Sequence, residues 1–198
     1  MSARTLWQNY KRQSIQEAVI RLMCREGLPS VTMERVAQEV GIAKGTVYLH
    51  YRDKQELLDE VKESALAPIR AKIEEILRSD EPADRKLRSY SLRYLSYFDE
   101  HRDLFRILLY EREVTRVQGS RFQSDRYRHI HHELTRVVSE GVESGVFRAV
   151  EPSIAAAMFM ESNLAVVNQR LLMEKPAAVE DDAALIADIF INGLRKKR

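Results

Sequence analysis

"GIAKGTVYLHYRDKQEL", residues 41–57, decides how this chain is read. It opens on a glycine and then gathers Lys44, Thr46, Tyr48, His50, Tyr51, Arg52 and Lys54 around one apolar anchor, Val47, with Asp53 the one carboxylate among them. Just upstream, Thr32 is placed to cap a helix from Met33 to Val40 that turns Val36, Ala37 and Val40 to one side. Gly41-Ile42-Ala43 makes a three-residue turn, with Gly41 permitting the positive φ that reverses the chain. The spacing then predicts a short helix from Lys44 to about Tyr51. Two short helices joined by such a turn form a helix-turn-helix.

Outward from this point, apolar residues recur three and four apart over most of the 198 residues, and glycine (7) and proline (5) are scarce. The fold class is therefore all-α, with about nine helices. A first helix is predicted from about Tyr10 to Glu26, with Ile15, Ala18, Val19, Leu22 and Met23 on one stripe and Gly27 as its stop. Asp53 caps a long fourth helix, and Glu56 completes a capping box. That helix carries Leu57, Leu58, Val61, Ala65, Ile69, Ile73 and Leu77, and Pro68 is predicted to kink or split it. Leu87, Tyr90, Tyr94, Leu95 and Phe98 mark a fifth helix, and Leu104, Phe105, Leu108 and Leu109 a short sixth. Ile130, Leu134, Val137, Val138 and Val142 mark a seventh, Pro152 opens an eighth, and Ile186, Ile189, Phe190 and Leu194 mark a ninth.

The net charge of +2 excludes a general polycation, so any nucleic-acid binding must come from a local patch. A single cysteine, Cys24, excludes an internal disulfide or a cysteine metal cluster. No stretch approaches the roughly 18 apolar residues of a membrane span, and the N-terminus lacks a signal peptide's apolar core, so a cytoplasmic location is expected. No Ser-His-Asp set, carboxylate pair or phosphate loop points to an enzyme, and no cofactor is expected.

With Val47 inward at 3.6 residues per turn, Gly45 and Leu49 point directly away, Thr46 and Tyr48 flank them, and Lys44 and His50 lie nearer the rim. A merely solvated helix face more usually carries glutamate–lysine pairs. A face of hydroxyl, aromatic and basic groups, with a glycine that lets the backbone approach, suits a major groove lined by phosphates.

These residues, "TMERVAQEVGIAKGTVYLHYRDKQEL", resemble the DNA-binding segment of the TetR family of bacterial transcriptional regulators, over about Ile15 to Leu58. The resemblance implies a helix-turn-helix domain over residues 1–56 and an effector-binding and dimerisation domain over 57–198. It implies a homodimer, joined through the last two long helices, whose N-terminal domains read the half-sites of a palindrome in double-stranded DNA. Carried over position by position, Lys44, Gly45, Thr46, Tyr48, Leu49 and His50 look like the groove face. Thr32, Tyr48, Tyr51 and Lys54 look like phosphate contacts, although Tyr51 has an alternative place packed inward beside Val47. Ala43 stands where the family often has serine. Glu34 stands in the first turn of the second helix, where an acid helps the helix dipole but does not suit a nearby phosphate.

In the second half, Tyr90, Tyr94, Phe98, Phe105, Leu109, Tyr127, Met158 and Asn163 are candidates for a pocket taking a small apolar or aromatic effector. Aromatic stripes at helical spacing are equally the mark of an ordinary core, and Asn163 of a satisfied core amide. His129, His132 and Glu133 share a helical face, but Arg126, Arg128 and Arg136 beside them would repel a cation, so no metal site is expected. The expected function is a ligand-responsive regulator, a repressor released from its operator by the effector. The alternative is a DNA-bound protein of the same fold whose C-terminal half takes a protein partner.

Overall fold

The computed structural model describes residues 3–107 and 125–195. Among them run nine helices: α1 (Ala3–Glu26), α2 (Met33–Val40), α3 (Lys44–Tyr48), α4 (Lys54–Arg78), α5 (Ala83–Glu100), α6 (102–107), α7 (Asp125–Glu143), α8 (Pro152–Leu172) and α9 (Val179–Leu194). A 3-10 turn, Leu28–Ser30, links α1 to α2. The described residues hold no strand, only an isolated bridge between Phe147 and Arg195. None of these helices is long and apolar enough to cross a membrane.

The described chain divides into two compact units, residues 3–67 with 103–107, and 68–102 with 125–195. In the first, Ile15, Val19, Leu22 and Met23 of α1 form the predicted stripe and bury fully with Val36, Val47, Leu57, Leu58 and Val61. In the second, α5 packs on α7, α8 and α9, and α7 packs on α8. Leu87, Tyr90, Leu95, Leu134, Val137, Val138, Phe159 and Val167 fill that core.

Several boundaries differ from the periodicity. The first helix begins at Ala3 rather than near Tyr10. Its opening turns bury little: Leu6, Trp7 and Tyr10 are each more than half exposed. Local contacts support it instead, with Trp7 stacked on Tyr10 at 6.0 Å and the Lys11 ammonium 5.2 Å over the indole. A pattern search for buried stripes passes over such a segment. Pro68 does not split α4, which runs unbroken from Lys54 to Arg78. The cost of the lost backbone bond, about 3 kcal/mol, is offset by burial on both sides of the proline, through Leu57, Leu58 and Val61 before it and Ile69, Ile73 and Leu77 after it. The boundary between the two units falls at this proline.

Candidate nucleic-acid interface

The helix-turn-helix is fixed by its caps. The Thr32 hydroxyl accepts the Arg35 N–H at 3.2 Å and starts α2. Gly41 stops it at φ 75°, a left-handed conformation that costs an L-residue about 1–2 kcal/mol. The Ile42 N–H then reaches the Ala37 carbonyl at 2.9 Å and the Gly41 N–H the Gln38 carbonyl at 3.1 Å, the two bonds of a Schellman motif. After α3, Asp53 accepts the Glu56 N–H at 2.9 Å while the Glu56 carboxylate accepts the Arg52 N–H at 2.6 Å, which sets the start of α4.

Between these caps α3 is shorter than predicted, ending at Tyr48 rather than Tyr51. Val47 is fully buried and serves as its anchor. Gly45 is exposed, and a Cβ added there would meet nothing within 4 Å, so its backbone lies open to close approach. Tyr48 is 46% exposed and Leu49 84%, high values for such large apolar side chains. Lys44 is exposed, and Thr46 and His50 are half-buried. Lys44, Gly45, Tyr48 and Leu49 thus face outward, with Thr46 and His50 only partly exposed beside them. Burial, with Arg12 and Lys11 nearby, lowers the His50 pKa below the usual imidazole value.

One side chain departs from its expected place. Tyr51 takes the inward alternative: it is 1% exposed, its phenol oxygen accepts from Gln16 Nε2 at 3.2 Å, and the Arg12 guanidinium lies 5.3 Å over its ring. Burial pushes its pKa up, as for a phenol shut away from water. Tyr51 therefore does not offer its phenol to a phosphate: its N–H bonds the Val47 carbonyl at 3.0 Å in the turn after α3, and its side chain buries on the same inner side as Val47. Lys54 is half-buried and its ammonium reaches the Leu28 carbonyl at 3.4 Å, which tethers the side chain.

The partner of the acid at position 34 was not legible from the spacing. Glu34, in the first turn of α2, forms an ion pair with Lys44 at the start of α3, and the Lys44 ammonium also lies 5.7 Å over the Tyr48 ring. Lys44 chiefly, then the Glu34 backbone N–H and the Thr32 hydroxyl, holds the Glu34 carboxyl below the usual carboxylate range. The outward face of α3 therefore carries a carboxylate contributed by the neighbouring helix.

Behind the face, Glu60 of α4 takes the Arg12 guanidinium through both oxygens and the Gln16 amide at 2.9 Å, while the Ser64 hydroxyl donates to Gln16 Oε1 at 2.8 Å. These bonds tie α1 to α4 beside Tyr51.

Of the pocket candidates, Tyr90, Tyr94, Phe98, Tyr127 and Asn163 lie in the second unit. Tyr90 stacks on Tyr94 at 5.5 Å, Tyr94 meets Phe98 at 4.9 Å, and Tyr90 meets Phe159 at 5.3 Å. Complete burial raises the Tyr90 pKa well above the usual phenol value. Asn163 is fully buried; its Nδ2 donates to the Phe159 carbonyl at 2.8 Å, while Oδ1 has no hydrogen-bond partner among the described residues. Two candidates fall away from this group. Phe105 is buried in the first unit. Met158 is 60% exposed, because it shares the outward face of α8 with Ile154, one turn before it. Leu109 lies outside the described residues.

His129, His132 and Glu133 do not converge on a cation. Burial would raise the Glu133 pKa, but hydrogen bonds from Arg78 and Arg136, each 3.1 Å, outweigh it and hold the carboxyl below its ordinary value. His129 faces Glu74 at 3.2 Å. Among the described residues no three such side chains are placed to hold a metal.

Two family models match the chain: bacterial regulatory proteins of the tetR family over residues 15–61, and the tetracyclin repressor-like C-terminal domain over residues 80–167. The HTH-type transcriptional regulator YhgD of Bacillus subtilis is 21% identical over 184 residues, 93% of this chain and 96% of that protein. The HTH-type transcriptional repressor KstR2 of Mycobacterium tuberculosis is 24% identical over 143 residues, 71% of this chain and 70% of that one. A TetR transcription regulator from Haloarcula marismortui has the same fold, with a TM-score of 0.80 at 19% identity, covering 95% of this chain and all of that one, 100%.

Proposed function

Because the chain belongs to the TetR family of bacterial regulatory proteins, DNA-binding regulators that catalyse no reaction, we propose that it acts in the cytoplasm as a repressor, bound as a homodimer to a palindromic operator and released by a small apolar or aromatic effector. The observation that carries the reading is the outward face of α3. Leu49 stands largely in water and Tyr48 about half so, beside Lys44, Thr46 and the open backbone of Gly45, while Val47 is the fully buried residue of the helix. Exposing these large side chains is costly unless a partner covers them. A major groove offers base edges and thymine methyl groups to such a mixture. Thr32 and Lys54, at the starts of α2 and α4, flank the face as phosphate contacts.

Residues 1–56 form the reading part and 57–198 the sensing and pairing part in this proposal. The partner copy covers α8 and α9, where Ile154, Met158 and Leu172 on one helix and Leu185 and Ile189 on the other are each more than half exposed. The effector enters among Tyr90, Tyr94, Phe98 and Tyr127, where the Asn163 Oδ1 supplies a buried acceptor still to be satisfied. Effector binding releases the operator only through a difference in its affinity for the two states.

The experiment is a fluorescence-anisotropy titration of the full chain against duplexes from its own promoter region at several salt concentrations. Sequence-selective binding that weakens as salt rises supports the reading; binding that is neither selective nor salt-dependent ends it.

A further inference from the structure

We propose that Glu34 and Lys44 act together to read one G·C base pair in each half-site. This rests on the DNA-reading role of α3 given above. The two side chains stand side by side at the starts of α2 and α3, each about half exposed, the carboxylate accepting from the ammonium. An acid on a surface that meets a polyanion weakens binding to any DNA unless it faces hydrogen-bond donors there. Glu34 is turned toward Lys44, with the Thr32 hydroxyl and its own backbone N–H also beside the carboxylate.

The major-groove edges decide what such a pair fits. Guanine offers two adjacent acceptors, N7 and O6, and the cytosine across from it offers the N4 amino donor. A compact ammonium placed between N7 and O6 sets the neighbouring carboxylate beside N4. On an A·T pair the ammonium finds one acceptor, N7, and the carboxylate falls between the adenine N6 donor and the thymine O4 acceptor, which repels it. The pair thus favours G·C through both members. Away from such a base pair, Glu34 opposes the phosphates and occupies Lys44, so binding to unrelated sequence is weakened. Glu34 is on this account a specificity-determining residue and not a general contributor to affinity.

The test starts with selection of duplexes from a random library by the full-length wild-type protein, followed by anisotropy on the selected duplex, on versions with single G·C pairs changed to A·T, and on a random-sequence duplex of about 30 base pairs. In the wild type, one G·C change per half-site is expected to weaken binding about tenfold. In Glu34→Ala that penalty falls to about threefold, the share left to Lys44, and in Glu34→Ala/Lys44→Ala it vanishes. Glu34→Ala should also bind the random duplex more tightly, with a log–log salt slope steeper by about 0.9 as Lys44 becomes available to a phosphate. Unchanged thermal unfolding and circular dichroism verify that these surface variants fold. An unaltered base preference in Glu34→Ala overturns the proposal. So does a loss of affinity equal on every duplex, which is what a residue that merely positions Lys44 would give. Failure of the wild type to select any sequence strikes the DNA-reading role itself, and this proposal with it.

Discussion

Tyr51→Phe separates a packing role from a DNA role at a position where the sequence allows both. The substitution removes one acceptor, the phenol oxygen 3.2 Å from Gln16 Nε2. Gln16 is not orphaned by this, since Nε2 still donates to Glu60 at 2.9 Å and Oε1 still accepts from Ser64 at 2.8 Å. The ring, its burial and the Arg12 guanidinium above it all stay. A long neutral hydrogen bond whose partner keeps another is worth about 0.5–1 kcal/mol. For a chain of 198 residues that lowers the unfolding midpoint by about 1–4 °C. Differential scanning fluorimetry reads the midpoint, and anisotropy on duplex DNA across a salt series reads the affinity. The expected result is the small loss of stability with an unchanged affinity for DNA. A loss of affinity of about tenfold, as when a hydrogen bond to a charged phosphate is removed, together with an unchanged midpoint, would refute the inward assignment of Tyr51.

Tyr48→Ala is expected to weaken operator binding by about 1–3 kcal/mol with little change in unfolding midpoint, because the side chain is 46% exposed; anisotropy and scanning fluorimetry read the two. His50, whose pKa is lowered in the fold, resists protonation there, so the unfolded chain binds more protons below pH about 6.5. Its contribution to stability is whole above that pH and shrinks as the pH falls toward the folded value, and His50→Gln should flatten this part of a midpoint-against-pH curve. A nearby phosphate raises the bound-state pKa, so wild-type affinity for DNA should rise from pH 7.5 to 6, a gain that His50→Gln loses. Gly41→Ala places a side chain at φ 75°, and although nothing within 4 Å obstructs it, the conformation alone should lower the midpoint by about 2–6 °C. Met158→Glu with Ile189→Glu should turn a dimer into a folded monomer by light scattering, and a dimer of unchanged mass would remove α8 and α9 from the interface.

Much of the fold was legible because caps and turns act locally. Thr32, Gly41, the Asp53–Glu56 box and Pro152 each lie within a few residues of the boundary they set, and each stands where the pattern put it. The buried stripe of α1 likewise follows from spacing alone. Where contacts replace spacing, the reading fails. Residues 5–9 are helical without a buried stripe, and Pro68 is tolerated inside α4 because apolar side chains bury before and after it. The Glu34–Lys44 pair joins two helices across a turn, a relation that no periodicity within either helix encodes. The outward faces of α8 show the same limit: Met158 is apolar and one residue from the buried Phe159, yet 100° of rotation puts it in solvent.

The Gln16 side chain has a mechanical consequence. Its two amide atoms are engaged by α4 residues one turn apart, Nε2 by Glu60 and Oε1 by Ser64, an acceptor and a donor in fixed order. Advance α4 by one turn, about 5.4 Å, and Gln16 meets Glu56 and Glu60, which offer no donor; retreat by one turn and it meets Ser64 and Pro68, whose ring offers nothing. Gln16 therefore favours this register of α4 on α1 over the registers a full turn away, since its two hydrogen bonds absorb shifts of a few tenths of an ångström but not one of about 5.4 Å.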